Sequence, residues 1–237
     1  MKKYKAIFID FYGTLVHEDD EILPLICERV RTSSSSSAAY SIRDIGGYWW
    51  KAFLRRSDSC YGPSFRPQRQ IGVDSLAETI REFQSDADAE TLIQLQFENW
   101  KKPVIFEDTK PFLEEWNGQV PLYILSNIDT EDVSNAIEYH GLKVDGVISS
   151  EDVQSYKPRQ EMFLEGLRKA GLQPSEVLHI GDSINNDAWG AMQCGIDAVW
   201  LNRTRKAKHD TIQPTYTFSD LNAVTVMMKG NITMNVD

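Results

Sequence analysis

Apolar positions gather into five short runs: YKAIFID (4–10), VPLYILSN (120–127), KVDGVIS (143–149), EVLHIGD (176–182) and DAVWLN (197–202). Each is rich in branched and aromatic side chains and bounded by polar residues, the pattern of strands buried on both faces. Between the later runs, apolar positions recur at helical spacing. TEDVSNAIEYHG opens on Thr130 with acids in its first turn and closes on Gly141; RQEMFLEGLRKAG and NNDAWGAMQCG close on Gly171 and Gly195. Hydroxyls and acids satisfy free amides at a helix start, and glycine takes the left-handed turn that ends one. Strand and helix in alternation predict a doubly wound, Rossmann-like parallel α/β sheet, because parallel neighbours need crossovers.

One interval breaks the alternation. Residues 16–105 hold no strand-like run, only helical segments: EILPLICERVR, IRDIGGYWWKAFLRR, SLAETIREFQ and DAETLIQLQFENWKK. The interval is far too long for a loop in a compact domain. It predicts an inserted all-helical cap (16–105) on a core of residues 1–15 and 106–237, rejoined near PVIFEDTKPFLEEW. The serine run Ser33 to Ser37 is expected to be a mobile, solvated link between two cap helices. Tyr48, Trp49, Trp50 and Phe53 share a helical segment and are expected mostly in the cap's own core, with a ring or two facing the crevice.

Charge and cysteines narrow the class. The 237 residues carry 25 lysines and arginines against 35 aspartates and glutamates, a net charge of -10. That balance argues against nucleic acid or an anionic membrane as partner, and leaves room for a small anionic substrate held by a few local donors. Cys27, Cys60 and Cys194 fit neither a disulfide framework nor a zinc site, so the expectation is a cytoplasmic protein with reduced thiols. The apolar N-terminal run is broken by Asp10, without a small-residue cleavage site, and reads as a first strand. The sequon NIT (231–233) lacks a secretory context. Composition leaves monomer and homodimer equally open.

In open parallel sheets the active crevice lies beyond the carboxyl ends of the strands. The polar residues obey that rule: Asp10 ends the first strand, Ser126 and Asn127 the second, Lys157 follows the third, and Asp182 ends the fourth with Asp187 close behind. Alone, each such residue is more often a turn former or a solvated loop residue. Four consecutive strands carrying them make one catalytic crevice the better account.

The segments DFYGTL, LYILSNID, VQSYKP and GDSINNDAWGA, in this order, resemble the four motifs of the haloacid dehalogenase superfamily, and the insert resembles its helical cap of the first type. The resemblance implies a covalent mechanism in which Asp10 is the nucleophile and an aspartyl intermediate is hydrolysed by water. It implies that Thr14, Ser126 and Asn127 bind the substrate's oxygens, with Tyr12 also at the substrate, and that Lys157 neutralises charge. It further implies Mg²⁺, held by Asp10, the backbone carbonyl of Tyr12, Asp182, and Asp187 directly or through a second layer.

The motifs disagree over the reaction. Phosphatases of the superfamily carry an acid where this chain has Tyr12, and tyrosine, with an ordinary pKa of about 10, is a poor acid-base catalyst near neutrality. The 2-haloacid dehalogenases resemble DFYGTL, but have serine in place of Asp182, need no metal, and use a cap arginine for the substrate carboxylate. Arg55, Arg56 and Lys51 stand near that place. Weighing Asp182 above Tyr12 favours a Mg²⁺-dependent phosphohydrolase preferring good leaving groups. The alternative is 2-haloacid dehalogenation; a phosphonate hydrolase using Lys51 and a non-catalytic binder of phosphorylated ligands stand further back. His17 reads first as a solvated linker residue, with a substitute proton donor as the other reading.

Overall fold

The computed structural model describes residues 3–207 and 209–230, so the sequon at 231–233 lies outside the described residues. The first strand, β1 (Ala6–Ile9), is followed by five α-helices before the next strand's own helix: α1 (Ile22–Thr32), α2 (Ile42–Asp58), α3 (Gln68–Glu82), α4 (Ala89–Leu92) and α5 (Gln94–Lys101). The chain then alternates through α6 (Thr109–Trp116), β2 (Leu122–Ser126), α7 (Thr130–His140), β3 (Gly146–Ser149), α8 (Ser150–Val153), α9 (Glu161–Ala170) and β4 (Val177–Gly181). A π-helical turn, Ile184–Trp189, runs into α10 (Gly190–Gln193), and β5 (Asp197–Leu201), β6 (Tyr216–Phe218) and α11 (Leu221–Met228) complete the described elements.

All strand pairings are parallel, in the order β3-β2-β1-β4-β5-β6. Alternate residues of β1 face opposite layers, as the pleat dictates. Ile7 and Ile9 join Ile180, Phe112 and Val224 in one buried cluster, while Ala6 and Phe8 join Leu125, Met162 and Phe163 in the other. The sheet is thus a Rossmann-like layer with helices on both sides. Ile9 lies beside Ile180, so the residues that follow β1 and β4 leave the sheet together at its middle. There β1 connects to β2 on one side and pairs with β4 on the other, the switch point at which open α/β sheets form crevices.

Two expectations need correction. The apolar runs predict five strands and miss β6, a short edge strand whose side chains are half exposed or exposed and so lack a contiguous apolar signal. The serine run is not a solvated tether. Ser34 is buried and donates its hydroxyl to Phe83 O at 2.6 Å; the Ser35 amide donates to Gln84 O and the Asp86 amide to Ser33 O. Local polarity suggested water as the partner, but the end of α3 supplies the groups.

The segments flanking the helical interval run side by side. The His17 amide donates to Val104 O at 2.7 Å and the Phe106 amide to Leu15 O at 3.2 Å. A second connection ties α3 to the loop after β2: Asp129 accepts from the Gln68 and Arg69 amides at 2.6 and 2.9 Å, and Arg69 grips Asp132 with both nitrogens at 2.7 and 2.6 Å. Carboxylates at a helix start satisfy its free amides, so the loop caps a helix that its own residue, Pro67, cannot cap by side chain.

Candidate active site

Register brings the expected residues to one edge. Asp10 is 7% exposed; its Oδ1 accepts from Lys157 Nζ at 2.7 Å and its Oδ2 from the Thr14 hydroxyl at 3.0 Å. Lys157, buried between strands, also donates to Asp187 Oδ1 at 2.6 Å and to Leu125 O at 2.8 Å, so all its ammonium hydrogens are taken. A buried ion pair is stable only with such complete hydrogen bonding.

The acids sit in unlike fields. Burial pushes Asp10 up to about 6, with Lys157 opposing and Asp187 adding to the rise. Burial would raise Asp187 as well, but Lys157 and the hydrogen bond from His179 bring it down to about 2. Burial, then the charges of Asp10, Asp187 and Glu18, drive Asp182 well above the carboxylate range. Lys157 is raised above the ordinary lysine value because the two carboxylates outweigh its burial.

Two glycines permit this crowding. Gly13 has φ +85°, and a Cβ there would meet Asp182 Oδ1 at 2.6 Å; at Gly181 it would meet Asp187 Cγ at 2.2 Å. Asp10, Asp182 and Asp187 each offer an oxygen, all within 4.8 Å of one another. An oxygen-only, anionic donor set of this kind fits a hard divalent cation. Asp187 is the least free of the three, accepting from Lys157 and His179 on Oδ1 and from the Ser183 amide on Oδ2 at 3.1 Å.

The other expected residues fall into two groups. Ser126 and Asn127 line a cavity of about 530 Å³ together with Asp10, Tyr12, Lys157 and Asp182. The Asn127 side chain nevertheless clamps the Lys157 backbone, its Oδ1 accepting from the amide at 2.6 Å and its Nδ2 donating to the carbonyl at 3.1 Å. Thr14, expected at the substrate, is fully buried, does not line the cavity, and gives its hydroxyl to Asp10 while accepting from the Asp182 amide at 3.1 Å. Tyr12 lines the cavity, but its hydroxyl donates to Trp100 O at the end of α5. Burial raises its pKa well above that of free tyrosine.

The cations of the segment 16–105 lie elsewhere. Arg55 and Arg56 both pair with Glu78, and neither they nor the exposed Lys51 line the cavity. Its only lining cations among the described residues are Lys157 and Arg159. His17 stacks on Phe106 with ring centroids 3.9 Å apart and does not reach the cavity wall. Trp49, Trp50 and Phe53 do line it, Trp50 at 60% exposure and stacked on Phe53.

Several supporting residues were not legible in the motifs. His179 in β4 is fully buried with Nε2 3.1 Å from Asp187 Oδ1; burial lowers its pKa, so it acts as a neutral donor. A histidine inside the otherwise apolar run EVLHIGD was the available signal. Arg203 donates to Thr14 O at 2.7 Å and pairs with Asp108 at 2.9 Å, holding the loop after Asp10 from behind. Nothing in the sequence around Arg203 marks it.

Comparison with known proteins decides the family. The family model of haloacid dehalogenase-like hydrolases matches residues 4–195. The chain belongs to the haloacid dehalogenase-like hydrolases. Among curated members of this superfamily, it is 24% identical to N-acylneuraminate-9-phosphatase of Mus musculus, over 86% of this chain and 85% of that one. It is 26% identical to (S)-2-haloacid dehalogenase of Pseudomonas sp. (strain YL), over 94% of each. Among solved structures, L-2-haloacid dehalogenase from Xanthobacter autotrophicus superposes with a TM-score of 0.76 at 18% identity, covering 97% of this chain and 100% of that one. The putative hydrolase YfnB from Bacillus subtilis, bound to magnesium, gives 0.75 at 18%, covering 96% and 100%. At these identities the structural likeness establishes the fold. The protein is an enzyme of this hydrolase family, with phosphatases and dehalogenases both among its relatives. No helix among the described residues is long and apolar enough to cross a membrane.

Proposed function

We propose that this hydrolase cleaves a small phosphorylated metabolite through a covalent aspartyl phosphate on Asp10, with Mg²⁺ as cofactor. The observation that carries this reading is Asp182, half-buried, with a carboxylate oxygen within 4.8 Å of those of Asp10 and Asp187 and no salt bridge of its own among the described residues. Three acids this close are costly unless a cation joins them. Asp10, Asp182 and the Tyr12 carbonyl would hold the metal, with Asp187 behind them on Lys157. When bound, it supplies positive charge to the substrate's phosphoryl oxygens.

The side chains supply the rest. Thr14 and Lys157 fix both oxygens of Asp10, which aims the carboxylate for in-line attack on phosphorus. Lys157 balances charge as it moves from Asp10 to the phosphoryl oxygens, and Asp187 with His179 holds the ammonium in place. Ser126 offers its hydroxyl at the cavity wall, while Asn127 fixes the Lys157 loop. The intervening segment 16–105 serves as a cap whose aromatic wall, Trp49, Trp50 and Phe53, excludes water and selects the leaving group.

A second reading, 2-haloacid dehalogenation, is favoured by Tyr12 and by the likeness to the Pseudomonas enzyme along 94% of the chain. Against it stands the cavity wall, where the segment 16–105 contributes acids and aromatic rings but no cation for a substrate carboxylate. Hydrolysis of a panel of phosphate esters, with Mg²⁺ and with EDTA, beside halide release from 2-chloropropionate, separates the two. Expected are Mg²⁺-dependent phosphate release, abolished in Asp10→Asn, and no halide. EDTA-insensitive halide release would overturn the proposal.

A further inference from the structure

Tyr12 leaves a chemical gap. A phosphate ester's departing alkoxide needs a proton, and the Tyr12 hydroxyl proton is directed to Trp100 O with a pKa moved further from neutrality. We propose that Glu18, on the segment between β1 and α1, is the acid that protonates the leaving oxygen. This deepens the phosphohydrolase reading and rests on it.

Glu18, Asp20 and Asp58 are cavity-lining carboxylates whose side chains make no hydrogen bond or ion pair among the described residues, and of the three it is Glu18 whose charge bears on Asp182. Asp10, Tyr12 and Asp182 line the same cavity. The Glu18 side chain is exposed to solvent, so a proton can be exchanged between turnovers. The neighbouring carboxylates are differently placed. Asp19 accepts from Gln96, Asn99 and Trp100 at 2.8 Å each, which anchors the segment to α5 and leaves Glu18 at a fixed station on the wall. Asp182 and Asp187 belong to the acidic cluster, and His17 is stacked away on Phe106.

Electrostatics agrees with the placement. Surrounding protein, and next the charge of Asp10, push Glu18 up to about 7, with Asp20 and Asp19 adding and Lys206 opposing. Asp10 is the strongest charge acting on Glu18, and Asp182 feels Glu18 in turn, as neighbours across one cavity must. A carboxyl poised near neutrality serves as acid and then as base.

The proton accounting closes. As an Asp10 oxygen bonds to phosphorus, the bond from phosphorus to the leaving oxygen breaks; its electron pair takes the Glu18 proton, giving the alcohol, the aspartyl phosphate and the Glu18 carboxylate. Water then attacks the aspartyl phosphate, its proton passing to Glu18 and the Asp10 oxygen leaving phosphorus. Phosphate departs, and Asp10 and protonated Glu18 are restored.

The test uses leaving groups of unlike need in the full-length protein with Mg²⁺: p-nitrophenyl phosphate, whose phenolate departs unaided, and ethyl phosphate, whose ethoxide does not. Values of kcat/KM report only the steps through loss of the alcohol. In Glu18→Gln the ratio of kcat/KM for ethyl over nitrophenyl phosphate is expected to fall about 100-fold or more, the usual worth of a general acid. Adding Tyr12→Asp to Glu18→Gln is expected to recover much of it. An unchanged ratio, whether both values fall together or neither falls, overturns the role, because structural damage is blind to the leaving group. Wild-type protein that cleaves the nitrophenyl ester but no ethyl ester also overturns it. Wild-type protein inert toward both overturns the phosphohydrolase reading itself, and with it the role of Glu18.

Discussion

Tyr12 shows how one residue can look catalytic in a motif and act as a strut in the fold. Its ring stands in the cavity wall while its hydroxyl joins the loop after Asp10 to Trp100, in the last turn of α5. A neutral hydrogen bond of this kind is worth about 1 kcal/mol, and its loss is affordable in a domain of this size. Tyr12→Asp therefore tests chemistry more than stability. Introduced over Glu18→Gln, it should raise turnover of alkyl phosphates by about tenfold or more relative to p-nitrophenyl phosphate, because an acid then faces the leaving oxygen again. No rise at all in a folded variant would sink the view that the leaving group lacks an aspartic acid.

At the scale of elements, α3 is held from outside. Asp129 caps it and Arg69 ties it to Asp132 at the start of α7, with the Arg69 guanidinium also 4.4 Å above the Phe97 ring. Burial pushes Asp129 up to about 6, despite the two amides that favour its charge. The folded state therefore holds this proton more tightly than the unfolded chain. The stabilisation it gives is full below about pH 4, the unfolded value, and is lost as pH rises through about 6. Asp129→Asn removes that titration and sets an NH₂ against one of the amides. In thermal unfolding the variant's deficit should be larger at pH 4.5 than at pH 7.5, the change amounting to at most about 3 kcal/mol. A deficit that stays constant, or grows with pH, would show that Asp129 ionises freely in the fold.

The whole molecule carries a net charge of -10 and concentrates three acids at one sheet edge. Self-repulsion there should be visible without any assay of turnover. In EDTA, Asp182→Asn is expected to melt at or above the wild-type temperature, since a carboxyl that burial and the neighbouring acids hold well above the carboxylate range is gone. Added Mg²⁺ should raise the wild-type melting temperature, by the equivalent of about 2.7 kcal/mol at a hundredfold excess over Kd, and should do little for Asp182→Asn. Equal Mg²⁺ shifts in both proteins would remove Asp182 from the metal's ligands.

The sheet and its crossovers were readable in the chain because burial on both faces demands continuous apolar runs, and only a short edge strand, β6, escaped that rule. Asp10, Ser126, Lys157 and Asp182 were readable because strand ends are local features that a parallel sheet must bring together. What each side chain does once there was not local. Thr14 faces Asp10 rather than solvent, Asn127 clamps a backbone 30 residues on, Arg55 and Arg56 neutralise Glu78, and Ser34 serves the end of α3. A polar group's partner is set by whichever group the fold brings within hydrogen-bond reach, and sequence spacing carries no record of that across separate elements. The chain by itself determined a parallel sheet with a carboxylate, Asp10, at its switch point; the tertiary structure decided that Tyr12 turns to Trp100 and that Glu18 is left facing the cavity.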